Sequence, residues 1–309
     1  MMSPDRVRTR AASSRMIGMR EITLELDAVR LRALTWGPAT GRLAVLLHGF
    51  PDTAHTWRHL GPVLVDAGWR VVAPFTRGYA PSEIPADGSG HVAALMDDAV
   101  AVHDRAGGGA DAVLIGHDWG AITANALAAH PDSPFVAAVA LSVPPFPALR
   151  TPAVLPALPR QLRNSWYILF NQLPVLPEKL AGRIVPRLWA DWSPGYDASD
   201  DLPAVMEAMA DPAHRRAVIG YYRNMARPLP RPPVRYRRWV GAEMRSPIVP
   251  TLYLHGDRDG CLDPRLAARV GSGLPPGSEA HVVSGAGHFL QLERPDEVNS
   301  TILKFLATT

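Results

Sequence analysis

Residues 111–121 read Asp111-Ala112-Val113-Leu114-Ile115-Gly116-His117-Asp118-Trp119-Gly120-Ala121. An apolar run of strand length, 111–115, enters a tight turn, and a helical pattern leaves it at 121–129. Glycines stand two residues to either side of Asp118. Such glycines let backbones approach closely around a strained central residue. The spacing predicts an exposed Asp118 side chain at the carboxyl edge of a sheet, beside a helix N-terminus. That is the design of a nucleophile elbow. The plainer alternative is that Asp118 only caps the helix. No serine in the chain has glycine two residues before and two residues after it, so no second elbow competes.

The surroundings suit that reading. Alternation over 21–28 and 29–36 predicts a β-hairpin. Continuous apolar runs at 43–47 and 70–73 have the look of buried parallel strands. Helical patterns cover 53–67 and 91–104, and 136–143 reads as a strand. Strand patterns return at 248–254 and 279–283, and a helix closes the chain at 297–306. The β-α alternation implies an α/β fold with a mainly parallel sheet covered on both faces. Between Pro144 and about residue 240 the composition turns to Pro, Trp, Tyr and Arg, with helical segments and no strand signal. The expected organisation is a tail at 1–19, a core at 20–144 and 241–309, and an inserted helical cap at 145–240.

Composition bounds the rest. With 309 residues and 47% apolar content, the chain can bury a substantial core. The net charge is +3, carried almost wholly by arginine, since Lys179 and Lys304 are the only lysines. Charge is not concentrated on one element, which argues against a nucleic-acid role. The densest basic stretch, 227–238, alternates with prolines and reads as a linker, a membrane-surface patch being the weaker option. Cys261 is the only cysteine, so no internal disulfide forms, as suits a reducing cytoplasm. No apolar run approaches membrane-span length. Cysteine clusters and His-Glu-x-x-His motifs are absent, so neither metal nor cofactor is expected.

A carboxylate at the elbow dictates its chemistry. When ionised it needs no base, and it displaces a leaving group at saturated carbon to give an ester on the enzyme. Water must then attack that ester, which requires a general base and an oxyanion hole. The base candidate is His288, in Gly285-Ala286-Gly287-His288-Phe289 after the last strand. The orienting acid is Asp259, with Asp257 and Asp263 as rivals. His48-Gly49-Phe50-Pro51 follows an early strand. Its Phe50 N–H and the Trp119 N–H are the expected oxyanion donors, with His48 in a structural role.

Together these motifs resemble the α/β-hydrolase-fold epoxide hydrolases, from about residue 21 to residue 307. His48-Gly49-Phe50-Pro51, Arg77-Gly78-Tyr79, Gly116-His117-Asp118-Trp119-Gly120 and Gly287-His288 fall in family order. Within the insertion, Ser165-Trp166-Tyr167-Ile168-Leu169-Phe170 and Tyr222-Arg223-Asn224-Met225 resemble the two cap tyrosine segments. The resemblance implies that Tyr167 and Tyr222 hold the epoxide oxygen, with Tyr221 as rival for the second place. Phenols suit that task, because ring opening creates an alkoxide that needs a proton. Two departures, Phe75 after Pro74 and Ala80 in place of a common glycine, lie outside this chemistry.

The implied activity is conversion of an epoxide to a vicinal diol. The expected partners are a small-molecule epoxide and water, with no nucleic acid, no stable membrane insertion and at most self-association as a homodimer. A dehalogenase of the same fold is the alternative, since it shares the Asp nucleophile and His base. Haloalkane dehalogenases lack the tyrosine pair, and fluoroacetate dehalogenases typically carry Arg where this chain has Trp119. A non-catalytic small-molecule binding protein is the remaining alternative.

Overall fold

The computed structural model describes residues 18–226 and 233–309. The expected tail at 1–19 lies almost entirely outside the described residues. Eight strands form one sheet: β1 (Arg20–Glu25), β2 (Arg30–Trp36), β3 (Arg42–Leu47), β4 (Trp69–Pro74), β5 (Val113–His117), β6 (Ala137–Leu141), β7 (Thr251–Gly256) and β8 (Glu279–Val283). Their order is β1-β2-β4-β3-β5-β6-β7-β8. β1 and β2 form the predicted hairpin, β2 runs antiparallel to β4, and every later pairing is parallel. This is the α/β-hydrolase architecture.

Period-two alternation decides which face each side chain enters. Along β3, Ala44 and Leu46 join one core with Trp57, Ile302 and Phe305. Leu43, Val45 and Leu47 join the opposite core with Met96, Val102 and Leu127. β5, β6 and β7 are buried at every residue, as strands covered on both faces must be.

Three expectations shift. The strand read at 111–115 runs instead over Val113–His117, pairing with β6 up to the elbow. The helix read at 53–67 divides into a 3-10 turn, Ala54–Arg58, and an α-helix, Leu60–Asp66. Thr53 caps the first piece with its side chain. The stretch 227–238 is not simply a linker. Residues 227–232 lie outside the described residues, but Val234–Trp239 is a 3-10 helix with Tyr236 and Trp239 fully buried. Tyr236 donates to Asp87 at 2.9 Å, and the Trp239 indole donates to Asp97 at 3.1 Å. Burial of two large aromatics outweighs the extended habit of the flanking prolines.

Between β6 and β7 the described residues form helices only, chiefly Leu158–Asn164, Trp166–Phe170, Leu176–Trp192, Leu202–Ala208 and Pro212–Ala226. A third apolar cluster fastens them over the carboxyl edge of the sheet. Within it Trp189 stacks on Phe289, with centroids 3.6 Å apart, and its indole N–H donates to the Pro51 carbonyl at 2.8 Å. Beneath, the buried Arg77 guanidinium makes two 2.6 Å bonds to Asp98 and two more to the Ser89 and Ala94 carbonyls. That pair anchors the loop leaving β4.

Candidate active site

The strand-turn-helix around Asp118 explains its glycines atom by atom. A Cβ on Gly116 would overlap the Gly120 carbonyl, and one on Gly120 would overlap the Leu47 carbonyl. Asp118 itself adopts φ 52°, ψ −114°, a region that costs a non-glycine residue about 1–3 kcal/mol. Its side chain does not cap the helix Trp119–Ala128. Instead Oδ1 accepts the Phe50 N–H at 2.7 Å. The elbow residue, expected to be exposed, is only 5% accessible because the cap closes over it.

The carboxyl ends of four strands converge here: β3 supplies Phe50, β5 Asp118, β7 Asp259 and β8 His288. This is where open α/β sheets place their ligands. The His288 Nδ1–H donates to Asp259 Oδ2 at 2.9 Å, and its Nε2 stands 3.7 Å from Asp118 Oδ2. The second Asp259 oxygen is held by the N–H groups of Cys261 at 2.7 Å and Leu262 at 3.0 Å. Burial alone would lower the His288 pKa, but the Asp259 and Asp118 carboxylates outweigh it and push it up to about 10. The imidazole therefore rests protonated between two acids.

The rivals for the acid lie elsewhere. Asp257 accepts from the Gly285 N–H, and Asp263 pairs with Arg265 and caps the turn that follows it. His48 is a bridge. It accepts the Thr76 N–H at Nε2, so Nδ1 carries the proton and donates to the Gly49 carbonyl at 2.9 Å. Burial pushes its pKa down to about 4, which keeps it neutral.

The cap brings both phenols to this edge. Tyr222 packs edge-on against Phe50 at 5.0 Å, Trp119 at 5.4 Å and Tyr167 at 5.5 Å. Its hydroxyl is buried with no hydrogen-bond partner among the described residues. The Tyr167 hydroxyl lies 3.4 Å from the Cys261 thiol. Burial raises both phenol pKa values well above the usual range, and the Asp118 carboxylate adds to this, so both are neutral donors. Tyr221 points the other way and donates to the Arg77 carbonyl at 2.7 Å.

Several contributors were assigned no role from the sequence. Ser142 and His117 both donate to the His288 carbonyl, at 2.6 and 3.0 Å, fixing that loop from below. Trp192 packs against His288 at 5.0 Å and Tyr167 at 4.9 Å. The Trp192 carbonyl accepts the N–H groups of both Gly260 and His288 at 3.0 Å. Gly260 and Gly287 admit this helix end, since a Cβ on either would press into 191–193. Donor atoms of Asp259, Cys261 and His288 lie within 4.8 Å of one another. The Asp259 and His288 atoms are already paired in the hydrogen bonds above.

Comparison with known proteins places the chain in a family. The alpha/beta hydrolase fold family matches residues 44–295. "Epoxide hydrolase A" of Mycobacterium tuberculosis is 31% identical, across 93% of this chain and 97% of that protein. An AB hydrolase superfamily protein of Bacillus subtilis is 30% identical, across 94% and 99%. Among solved structures, epoxide hydrolase A from Mycobacterium thermoresistibile superposes with a TM-score of 0.72 at 28% identity, over 94% of this chain and 98% of that one. An epoxide hydrolase from Vigna radiata superposes at 0.75 and 25% identity, over 95% and 100%.

Proposed function

The chain belongs to the epoxide hydrolases of the α/β-hydrolase fold, and from that premise we propose that it converts an epoxide to a vicinal diol through an ester on Asp118. The observation that carries this reading is the division of labour at the Asp118 carboxylate. Oδ1 is held by the Phe50 N–H, while Oδ2 is left facing His288 across 3.7 Å. Oδ2 is therefore the attacking atom. It forms a bond to one epoxide carbon as the ring C–O bond breaks. The oxygen released takes a proton from Tyr167 or Tyr222, whose neutral hydroxyls supply it where an alkoxide develops.

Hydrolysis of the ester follows. Once alkylated, Asp118 carries no negative charge. One of the two acids that lift the His288 pKa is then gone, and burial regains weight against the imidazolium. The His288 proton passes to the phenolate left by ring opening, restoring the tyrosine, and neutral His288 becomes the base that takes a proton from water. Water attacks Cγ of Asp118. The oxyanion formed there is stabilised by the Phe50 N–H, and by the Trp119 N–H at the start of the elbow helix. Collapse breaks the ester and frees the diol. In sum, water adds across one C–O bond and the protein is unchanged.

His288→Gln tests the two steps separately. Asp118 should still open the ring, and the ester should persist. Intact-protein mass spectrometry should show an adduct with the mass of the whole epoxide, because ring opening expels no fragment. A haloalkane would instead leave only its alkyl group. A folded His288→Gln protein that neither turns over nor accumulates adduct would refute the assigned role of His288. Rapid turnover by Asp118→Ala would refute the carboxylate mechanism altogether.

A further inference from the structure

The cap turns an apolar, acid-free face to solvent. Large apolar side chains recur every three or four residues at Leu155, Leu158, Leu162, Trp166, Leu169 and Leu173, and all six are exposed. Leu162 and Leu169 are 74% and 76% accessible, far beyond what a helix packed on a core shows. Helical periodicity ordinarily hides such a stripe. Here the residues run over the 3-10 turn Pro152–Ala157, the short helices Leu158–Asn164 and Trp166–Phe170 and the turn that follows, and the solvent meets them all; exposed apolar side chains gathered in one segment mark an interaction surface.

The charges around it select the partner. No Asp or Glu occurs between Asp132 and Glu178, while Arg150, Arg160 and Arg163 fall inside that span and all are exposed. Two nearby acids are already paired. Asp263 is buried against Arg265 and Arg160, and Glu178 is paired with Arg223 at 2.6 Å. A second copy of this chain is a poor match, because a twofold contact would set one acid-free, arginine-bearing stretch against another. Exposed leucines with an aromatic residue and flanking arginines are instead the make-up of a helical segment that lies in the headgroup layer of an anionic membrane.

We propose that this face of the cap docks reversibly on anionic lipid surfaces. The segment Trp166–Phe170 then lies against the bilayer with Trp166 and Leu169 outward and Tyr167, on its buried side, turned to the site. An apolar epoxide dissolved in the lipid would meet the cap at the helix that holds one of the two phenols. The docking rests on the surface alone and stands apart from the ester chemistry.

The test is co-sedimentation of the full chain with phosphatidylcholine vesicles, made with and without phosphatidylglycerol. Binding should require phosphatidylglycerol and weaken as salt is raised. Leu162→Glu combined with Leu169→Glu should cut binding at least about tenfold, while hydrolysis of a water-soluble epoxide stays at the wild-type rate. That hydrolysis also reports folding. If the pair disturbs it, Arg150→Gln combined with Arg163→Gln should still lower the phosphatidylglycerol dependence. The proposal is overturned if wild-type protein ignores anionic vesicles, or if the variants bind as well as wild type. It is also overturned if the leucine substitutions abolish self-association in solution while vesicles are not bound. Absent hydrolysis with intact vesicle binding would count against the epoxide reading and leave the docking standing.

Discussion

The unequal surroundings of the two phenols make the double substitution of Tyr167 and Tyr222 the most exacting test of the chemistry. A hydrogen bond to a developing charge contributes about 1.5–3 kcal/mol, or roughly 10- to 150-fold in rate. The Tyr222 hydroxyl has no hydrogen-bond partner among the described residues, so its proton is free to be donated to the substrate. The Tyr167 hydroxyl is engaged with Cys261 at 3.4 Å, a weak sulfur contact that it must share or exchange. Tyr222→Phe should therefore slow alkylation by about 10- to 150-fold, and Tyr167→Phe by less. The double variant should approach the full general-acid effect of about 10²–10⁴.

Stability should move the other way. Removing an unpartnered buried hydroxyl leaves no orphan behind, so Tyr222→Phe should be neutral or stabilising by about 1 kcal/mol. The two readouts are single-turnover ester formation, followed by rapid quench and mass spectrometry, and thermal unfolding of the same samples. Single-turnover conditions matter because steady-state rates report whichever step is slower. A double variant that alkylates within about threefold of wild type would show that these residues only pack. So would a Tyr222→Phe protein whose slower alkylation comes with a large loss of stability.

Other consequences are as testable. The fold raises His288 from 6.5 to about 10. The stability this contributes is complete below about pH 6.5 and is lost as pH rises towards about 10. Melting temperature should fall through that window, and Asp118→Ala, which removes one flanking carboxylate, should make the fall shallower; an unchanged profile in Asp118→Ala would contradict the coupling. Asp98→Ala leaves the Arg77 guanidinium buried and unpaired, and should cost about 3–5 kcal/mol in denaturant titrations. Pairing it with Arg77→Met should recover much of that loss, and no recovery would refute the electrostatic account. Gly260→Ala forces a methyl into the Asp191 carbonyl, so ester hydrolysis should slow at least about tenfold while ester formation persists. Normal hydrolysis by that variant would mean the helix contact does not set the acid.

The parts of the site legible in the sequence were those governed by local geometry. Gly116 and Gly120 announced the elbow because each removes a collision that any Cβ would cause. The order of Asp118, Asp259 and His288 followed from the loops leaving β5, β7 and β8. Other parts depended on rotation or distance. Tyr221 and Tyr222 are neighbours on one helix, about 100° apart in direction, and only packing decides which turns to Arg77 and which to Phe50 and Tyr167. Trp192, Ser142 and Cys261 reach the site through the tertiary fold, with no motif to mark them. The stretch at 227–238 misled because proline and arginine dominate its composition. The relevant signal was the pair Tyr236 and Trp239, spaced three apart as one turn of helix requires.

The Trp192 carbonyl, which receives the N–H groups of Gly260 and His288, gives the cap a fixed pivot. The helix ending there cannot swing outward without breaking the two bonds that set the acid loop and the base loop. Tyr167 packs on the same Trp192 at 4.9 Å. On the proposed mechanism, the helix end that steadies the acid and base loops therefore also backs one proton donor. A displacement of Trp192 would disturb ring opening and ester cleavage together.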